Sequence, residues 1–451
     1  MDLLQTLLAT LVTLGILVTI HEWGHFFVAR RCGVKVLTFS IGFGRSLLRW
    51  RSSRSGTEYV LAAIPLGGYV RMLDEREGEV PDALKSQAFN RKPVLQRIAV
   101  VAAGPAVNLL FAVLAYWFMF VYGVSAIKPT VMDVVPGSPA ALADVRAGGE
   151  ITAVDGKEAL SWESVNLLLA SRIGESGGLT LRMQYPGVTL PEEYVVQLNN
   201  WKFDVESQSP VNALGLVAWS PEVPAVIGRL LDDGVAAQAG LQVGDRILEI
   251  NKEPIGDWYT LVEYVQRSPD ENLALLVERD GRELIINVRP IVLQSGDATI
   301  GYIGAGVAEV EWPPEQQRVI SFGVLESLGK GVEKTWQMIT LILESIWKML
   351  EGVISVKNLS GPITIAKVAG ASAESGMETF IGFLAYLSIS LGVLNLLPIP
   401  MLDGGHLFYY TVELLRGKPV SERIQMAGLR LGMAIIFTLM TVAIINDVMR
   451  L

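Results

Sequence analysis

The chain has 451 residues, of which 51% are hydrophobic, and its mean hydropathy of +0.39 is too high for an ordinary soluble protein. A single cysteine, Cys32, excludes an intrachain disulfide and a zinc site built from several cysteines. The net charge of −9 is unevenly distributed: residues 30–97 carry 13 Lys and Arg against 6 Asp and Glu, and residues 122–378 carry 19 against 34. The basic segment is typical of a cytoplasmic loop and the acidic one of a translocated region, and neither indicates nucleic-acid binding.

The first predicted element is a membrane helix that ends in a metal-binding pattern. Residues 3–20 are apolar enough to enter a bilayer, and the helix is expected to continue through HEWGHFFVARR. Residues four apart share one face of a helix, so His21 and His25 can bind one metal ion, and Glu22 can act as general base toward a water at that metal. Ionisable groups at the end of a membrane helix are costly, which favours a functional role over mere contact with lipid headgroups.

Residues 34–73 are predicted to form β-structure beside this helix. VKVLTFSIGFG and TEYVLAAIPLGGYVRM are rich in β-branched and aromatic residues, and a basic connector separates them. We expect a β-hairpin or small sheet next to the active-site helix. The alternative is a hairpin on the cytoplasmic surface.

Three further spans are predicted, at residues 98–121, 379–397 and 431–446. In the second span, Gly104, Pro105 and Asn108 are tolerable only where a neighbouring helix or a cavity satisfies them. Four spans put both termini on the same side as the acidic region.

Residues 127–310 contain an internal repeat, in which VMDVVPGSPAALADVRAGGEITAVDGKEAL is echoed by AVIGRLLDDGVAAQAGLQVGDRILEINKEPI. Each copy resembles a PDZ domain of the bacterial envelope-protease kind, which implies that a peptide can add as a strand to an exposed sheet edge. The first copy has Asp144–Val145 and Gly149–Glu150 where Gly–Leu and Gly–Asp are expected, so the second copy is the better candidate for peptide binding. Either copy can instead serve only as a size filter.

Residues 320–352 are predicted to form an amphipathic helix, because apolar residues recur at steps of three and four with charged residues between them. Trp336 and Trp347 suit a membrane interface. The helix either lies on the membrane surface or packs on the two PDZ-like domains.

The third metal ligand must come from another part of the chain. Catalytic zinc usually takes three protein ligands and keeps one position open. Asp403, within PIPMLDGG, follows a long apolar segment at the cytoplasmic end of its span, which is the depth expected for HEWGH. Gly404 and Gly405 are expected to let the backbone turn sharply there. His406 is an alternative ligand, or a partner that orients one.

The pattern resembles the site-2 protease family of intramembrane zinc metalloproteases over essentially the whole chain. The resemblance is carried by HEWGH, LDGG at 402–405, NLLPIP at 395–400, NLSGPI at 358–363, VSERIQ at 420–425, GFG at 42–44, PLGGYV at 65–70 and the tandem PDZ-like insert. It implies Zn²⁺ as cofactor, His21, His25 and Asp403 as its ligands, and Glu22 as the base. It also implies that Asn395 holds substrate backbone and that the 34–73 hairpin is membrane-associated and receives substrate as an added strand.

The resemblance further implies a multi-pass protein of the bacterial inner membrane that acts in regulated intramembrane proteolysis of the envelope stress response. Its expected partners are the lipid bilayer, a peptide ligand of the PDZ-like domains and a single-span substrate already trimmed on the periplasmic side. That substrate would be of the anti-sigma factor type or a remnant signal peptide. The active site would face the cytoplasmic side, and the periplasmic PDZ-like domains would exclude untrimmed proteins.

The predicted fold is a polytopic α-helical membrane protein with four transmembrane helices, a membrane-associated β-hairpin and two inserted α+β PDZ-like domains. The predicted division of the chain is a first transmembrane helix with HExxH (1–33), the hairpin and a cytoplasmic loop (34–96), a second transmembrane helix (97–125), two PDZ-like domains (126–220 and 221–310), an amphipathic helical segment (311–375), and the third and fourth transmembrane helices with LDGG (376–451).

Two other classes of function are compatible with parts of the sequence. A membrane-anchored PDZ scaffold without catalysis would tolerate Glu22→Gln. A zinc transporter would need polar residues along a continuous path through the membrane, and the later spans offer little beyond Asn108 and a few Ser and Thr.

Overall fold

The computed structural model of the chain describes residues 3–204, 208–231, 233–295, 298–308 and 310–450. The first element is helix α1 (Leu3–Arg31), which carries HEWGH in its C-terminal half. Its 29 residues span about 44 Å at 1.5 Å per residue, which exceeds the hydrocarbon thickness of a bilayer. Leu4, Leu8 and Leu11 on its N-terminal half are largely exposed, as expected of a surface that faces lipid.

Two long strands follow, β1 (Val36–Arg51) and β2 (Glu58–Met72). They pair with each other, but Phe39 in the first half of β1 pairs with both Val70 and Tyr59 of β2. Each strand therefore folds back on itself. The result is a curved sheet of four short segments, where the sequence predicts a β-hairpin or small sheet.

Glycines explain the bend in β1. Gly42 and Gly44 have φ values of 92° and 83°, a region that residues with a side chain rarely adopt. A Cβ at Gly42 would also lie 2.9 Å from the backbone oxygen of Ile64, so the two strands approach too closely there for any larger residue.

A loop with short 3₁₀ turns at Asp82–Gln87 and Phe89–Arg91 leads to helix α2 (Val94–Tyr122), the second long apolar helix. Helix α2 packs against α1, and the two helices approach very closely at Gly24. A Cβ at Gly24 would lie 2.5 Å from the backbone oxygen of Ala103, so only glycine fits there.

The first insert domain follows α2 and has its own hydrophobic core, which includes Ile151, Leu179 and Leu214. The elements of this part of the chain are β3 (Val124–Ile127), β4 (Val131–Val134), α3 (Pro139–Leu142), β5 (Glu150–Val154), β6 (Lys157–Glu158), α4 (Trp162–Ala170), β7 (Gly177–Gln184), β8 (Glu192–Leu198), α5 (Pro210–Leu214) and β9 (Leu216–Ala218). The four-stranded sheet of the domain has the order β6-β5-β7-β8, and β4 pairs with β9.

The second insert domain repeats this arrangement around a separate core that includes Ile227, Leu261 and Val277. Its elements are β10 (Ile227–Leu230), α6 (Val235–Gln238), β11 (Arg246–Ile250), β12 (Glu253–Pro254), α7 (Trp258–Arg267), β13 (Leu273–Arg279), β14 (Arg282–Val288), β15 (Ile291–Ser295), β16 (Ala298–Tyr302) and β17 (Ala305–Val307). The order of its four-stranded sheet, β12-β11-β13-β14, corresponds to that of the first domain, in line with the internal repeat in the sequence.

The rest of the chain is mainly helical. Its elements are β18 (Gln317–Ile320), α8 (Val324–Leu350), α9 (Pro362–Glu374), α10 (Met377–Leu396), α11 (Asp403–Arg416) and α12 (Glu422–Met449). Strand β18 pairs with β3, so the two insert domains leave and rejoin the helical part at one small ladder. Among the described residues, four helices are long and apolar enough to cross a membrane by length and composition: α1, α2, α10 and α12.

Helix α8 packs against α2 through small residues, as well as carrying the predicted amphipathic pattern. A Cβ at Gly331 would lie 2.9 Å from the backbone oxygen of Val113. On another face, Lys330 and Lys334 form ion pairs with Glu158 and Glu163 of the first insert domain. The helix therefore joins that domain to the transmembrane helices.

Residues 311–375, predicted as an amphipathic helical segment, divide into β18, α8 and α9, of which α8 corresponds to the amphipathic helix predicted at 320–352. Helix α10 corresponds to the span predicted at 379–397, and Asp403 begins the separate helix α11. Helix α9 has little periodicity of its own. Its N-terminus is held by the Asp447 carboxylate of α12, which accepts hydrogen bonds from the backbone of Gly361 and the residues after it.

Candidate metal centre

His21 and His25 lie on the same face of α1, one turn apart, as their spacing predicts. Their rings meet edge to face with centroids 4.8 Å apart. The two Nε2 atoms are 3.2 Å apart, so the same nitrogen of each ring faces a shared point.

Asp403 reaches this point from the N-terminus of α11. Its Oδ2 lies 3.3 Å from Nε2 of His21 and 3.4 Å from Nε2 of His25. A carboxyl group serves as a metal ligand in its ionised form.

The glycines after Asp403 have a different role from the one predicted. They do not supply an unusual turn, since they lie in the first turn of α11, and the residue with positive φ is Met401, at 100°. Instead, they allow close packing. A Cβ at Gly404 would lie 2.0 Å from the backbone oxygen of Leu397, and one at Gly405 would lie 2.6 Å from that of Ile399.

Helix α2 leaves space for the two imidazole rings at Gly104. A Cβ there would lie 2.3 Å from Nε2 of His25 and 2.8 Å from Cε1 of His21. In the sequence, Gly104 is only a residue that a span tolerates beside a neighbouring helix or a cavity. Its importance for the site appears only when α1 and α2 are brought together.

The tautomer of His25 is set by the backbone of α2. Its Nδ1 lies 2.9 Å from the backbone oxygen of Val100, which is fully buried. A carbonyl oxygen can only accept, so Nδ1 of the neutral ring donates its proton to it. The lone pair on Nε2 then faces His21 and Asp403.

The ring of His21 is oriented by Asn108, a fully buried residue of α2. The carboxamide nitrogen of Asn108 lies 3.3 Å from Nδ1 of His21, while its Oδ1 is buried and has no hydrogen-bond partner among the described residues. With the carboxamide turned over, its oxygen is the atom next to Nδ1 of His21 and accepts the Nδ1 proton. His21 would then also present an unprotonated Nε2.

The three ligand atoms fit a cation. They lie within 4.8 Å of one another, and they are the one group of three or more such residues within the described ranges that could hold a metal ion. Two lone-pair nitrogens and a carboxylate oxygen cannot satisfy one another, and Oδ2 of Asp403 is accordingly buried without a well-formed hydrogen bond despite its short distances to the rings. Two imidazoles and one carboxylate form a ligand set typical of catalytic zinc.

Glu22 borders this centre on the side of the curved sheet. Its carboxylate accepts a hydrogen bond from the backbone N–H of Val70 in β2. A Cβ at Gly68 would lie 3.0 Å from Cγ of Glu22, so the second half of β2 passes directly over this side chain.

The other two predicted residues lie near the centre but outside the ligand group. His406 is one turn after Asp403 on α11, and burial lowers the pKa of its imidazole below the ordinary value. Asn395 lies in the last turn of α10 and is half-buried.

The chain is similar to known peptidases over nearly its whole length. The sequence model described as Peptidase family M50 matches residues 9–439. A Vibrio cholerae protein named as a zinc metalloprotease is 45% identical over 451 residues, covering 100% of each chain. "Protease RseP" of Yersinia pestis and "Regulator of sigma-E protease RseP" of Escherichia coli K12 are 43% and 41% identical, again covering 100% of each chain. Among solved structures, the PDZ domain of an SdrC-like protein from Listeria monocytogenes matches 20% of this chain and 93% of its own with 17% identity. Its TM-score of 0.17 is too low to show a common fold.

Proposed function

The chain belongs to peptidase family M50 and is a zinc metalloprotease of the site-2 type, and from this membership we propose that His21, His25 and Asp403 hold the zinc ion and that Glu22 is the general base. The observation that carries this proposal is the convergence of two imidazole nitrogens and one carboxylate oxygen within 4.8 Å of one another. The ligands come from the two ends of the chain, so the site exists only in the folded protein.

The residues around the zinc site have distinct tasks in peptide hydrolysis. Zinc bound there supplies Lewis acidity, which polarises the scissile carbonyl and makes water a stronger acid. Glu22 takes a proton from the attacking water as its oxygen bonds to the carbonyl carbon, and then gives that proton to the leaving amine nitrogen. The hydrogen bond from the backbone of Val70 keeps the Glu22 carboxylate oriented for both transfers.

A helical substrate must become extended before this reaction, because its carbonyls are otherwise bonded within the helix. We assign the extension to the curved sheet. Residues 68–72 of β2 pair with the first half of β1 on one side, and the described pairings give them no strand on the other side. A substrate strand added at that free edge would run past Glu22, since Gly68 and Val70 both contact that side chain.

Asn395 is proposed to hold the substrate backbone. Its half-buried carboxamide makes no hydrogen bond within the described part of the chain, and it precedes Asp403 by one short connection between α10 and α11. A free carboxamide offers both a donor and an acceptor, which suits an extended peptide.

The proposed substrate is a single-span membrane protein already trimmed outside the membrane, of the anti-sigma factor type, or a remnant signal peptide. The name "Regulator of sigma-E protease", carried by relatives that match over their whole length, supports a role in envelope stress signalling. The two insert domains, proposed to be PDZ-like, would exclude untrimmed proteins or bind a peptide. Each has a closed core of its own, so each is large enough to act as an obstacle.

The proposed location is the bacterial inner membrane, with the insert domains in the periplasm and the active site toward the cytoplasm. Arg30 and Arg31 lie in the last turn of α1, about one turn after HEWGH, which supports a cytoplasmic position for that end under the positive-inside rule. The acidic insert domains follow the C-terminal end of α2, whereas the N-terminal half of α2 lies beside HEWGH.

Cleavage of a truncated single-span substrate by the wild type and by Glu22→Gln tests the proposal. Loss of the base should lower the cleavage rate by about 100-fold or more, while the zinc content stays at the wild-type level because no ligand changes. A Glu22→Gln protein that cleaves at the wild-type rate would refute the assignment. That result would favour a scaffold without catalysis.

A further inference from the structure

Helices α2 and α11 are joined by a buried ion pair between the first turn of α2 and the last turn of α11. Arg97, in the first turn of α2, donates from Nη1 to Oε2 of Glu413 at 3.1 Å and from Nη2 to Oε1 at 2.7 Å. The two side chains are only 13% and 14% exposed. Arg97 also donates from Nε to the backbone oxygen of Lys92 at 3.0 Å, so the guanidinium is fixed along its whole edge.

Tyr410 reinforces the same junction. Its ring centroid lies 4.8 Å from Cζ of Arg97, and the ring is 7% exposed. Phe89, from the loop before α2, packs edge to face on the other side at 6.3 Å. Helix α11 is therefore held to α2 at two successive turns, and both are far from its N-terminus.

The opposite end of α11 is where Asp403 meets the histidines. Helix α2 also orients those histidines, because Val100 accepts from His25 and Asn108 contacts His21. All three proposed zinc ligands are thus positioned by α2. It contacts the two histidines directly, and it holds Asp403 through the junction of Arg97 and Glu413.

A rigid helix transmits a change at one end to the other. Glu413 follows Asp403 by about 15 Å along the axis, given a rise of 1.5 Å per residue. A tilt of about 10° at the Glu413 end would move Asp403 by about 2.6 Å, which is larger than a zinc–oxygen bond of about 2.1 Å. In the connection before Asp403, Met401 has a positive φ of 100°, a conformation that surrounding contacts must maintain.

We propose that Arg97 and Glu413 are positioning residues that fix the tilt of α11 and so hold Asp403 at the two histidines. Neither residue contacts the ligand atoms. This inference rests on the proposed zinc ligands, so its test must separate failure of the junction from failure of the site.

The test measures the rate at which the purified full-length protein, loaded with zinc, releases the metal to a chromogenic chelator. Arg97→Ala and Glu413→Gln should each release zinc about tenfold faster or more, the range expected when a group that orients a ligand is lost. Glu413→Gln keeps the shape of the side chain, so it serves if Arg97→Ala does not fold. The exchanged pair Arg97→Glu with Glu413→Arg should recover part of the wild-type retention, because the charges again attract but the bond to the Lys92 backbone oxygen and the contact with the Tyr410 ring are lost.

A matched control is available in the second insert domain. Arg279 forms a similar two-bond pair with Asp245, which is 1% exposed, with both distances 2.7 Å. Arg279→Ala breaks a comparable pair far from the zinc site and should release zinc at the wild-type rate. Equal acceleration in Arg279→Ala and Arg97→Ala would overturn the proposal, since general loosening would then explain both.

Wild-type zinc retention in both Arg97→Ala and Glu413→Gln would also overturn it. His21→Ala separates failure of the positioning role from failure of the proposed ligand set. If His21→Ala loses zinc while the Arg97 and Glu413 variants keep it, only the positioning role fails. If His21→Ala keeps zinc, the proposed ligand set fails, and the positioning role fails with it.

Discussion

Asn108 and Val100 contact the two histidines of the proposed zinc site without belonging to the ligand group. Each faces the Nδ1 atom of one histidine, and each lies on α2, not on the helix that carries HEWGH. Val100 contributes a backbone oxygen that no substitution removes. Asn108 contributes a side chain, so its role can be tested by mutation.

Asn108→Ala should weaken zinc binding by about 10- to 100-fold, because the ring of His21 would lose the partner that fixes its orientation and its tautomer. Competition with a chelator of known affinity measures this change. The control is Asn446→Ala, which removes another buried carboxamide in a membrane helix, one that bonds backbone oxygens of Val356 and Leu359. Unchanged zinc affinity in Asn108→Ala would show that His21 needs no such partner.

The sequence predicts the three proposed ligands and the proposed base, but not the groups that orient them. His21, Glu22 and His25 are visible because a helix repeats every 3.6 residues, and Asp403 because it follows an apolar segment of matching depth. A backbone oxygen such as that of Val100 leaves no trace in a sequence. Gly104 and Asn108 are visible, but a membrane helix accommodates such residues for many reasons, so their contacts with the histidines require the packed helices.

At the scale of elements, the sequence predicts the β-structure at 34–73 but not its pairing, and it does not predict α11. Two strand-like segments separated by a basic connector predict a β-hairpin or small sheet, and the bends at Gly42 and Gly44 let each strand pair twice within one sheet. The sequence does not indicate helix α11, because Pro398 and Pro400 precede it and two glycines stand in its first turn, and these residue types are typical of turns. In the structure, the two glycines allow close packing within a helix.

The contact between the sheet and α1 gives a second prediction. At Gly68, a Cβ would lie 2.6 Å from the backbone oxygen of Ser40 and 3.0 Å from Cγ of Glu22, so Gly68→Ala must push β2 away from the base. We expect the cleavage rate to fall by up to about 100-fold, since a misplacement of about 1 Å can cost that much. Zinc content should not change, because no ligand moves.

Gly78→Ala is the control for this experiment, as nothing lies within 4 Å of a Cβ there. Its cleavage rate and zinc content should both equal those of the wild type. Cleavage by Gly68→Ala at the wild-type rate would mean that the position of β2 relative to Glu22 does not matter.

At the scale of the molecule, one frame connects the site to the insert domains. Helix α2 orients the histidines, contacts α11 and packs against α8, and α8 in turn pairs through Lys330 and Lys334 with the first insert domain. The pairing of β3 with β18 closes the same insert at its base. The part of the protein proposed to select substrates is thus built onto the helix that supports the chemistry.

The internal repeat, the acidic insert and the four spans could be predicted because each is a long, periodic or compositional pattern. How these parts meet could not, because the contacts between α8, α2 and the first insert domain join residues far apart in the sequence. Gly331 of α8 is an example. In the sequence it is an ordinary position of an amphipathic helix, and its close packing is evident only once the opposing backbone of Val113 is known.

The central claim is that residues from both ends of the chain close one zinc site. Metal analysis of purified wild type, Asp403→Ala and Glu22→Gln tests it most directly, because Asp403 is the ligand most distant in sequence. The wild type and Glu22→Gln should each hold about one zinc ion per chain, and Asp403→Ala should hold almost none. An Asp403→Ala protein that is folded and retains a full zinc ion would contradict the account.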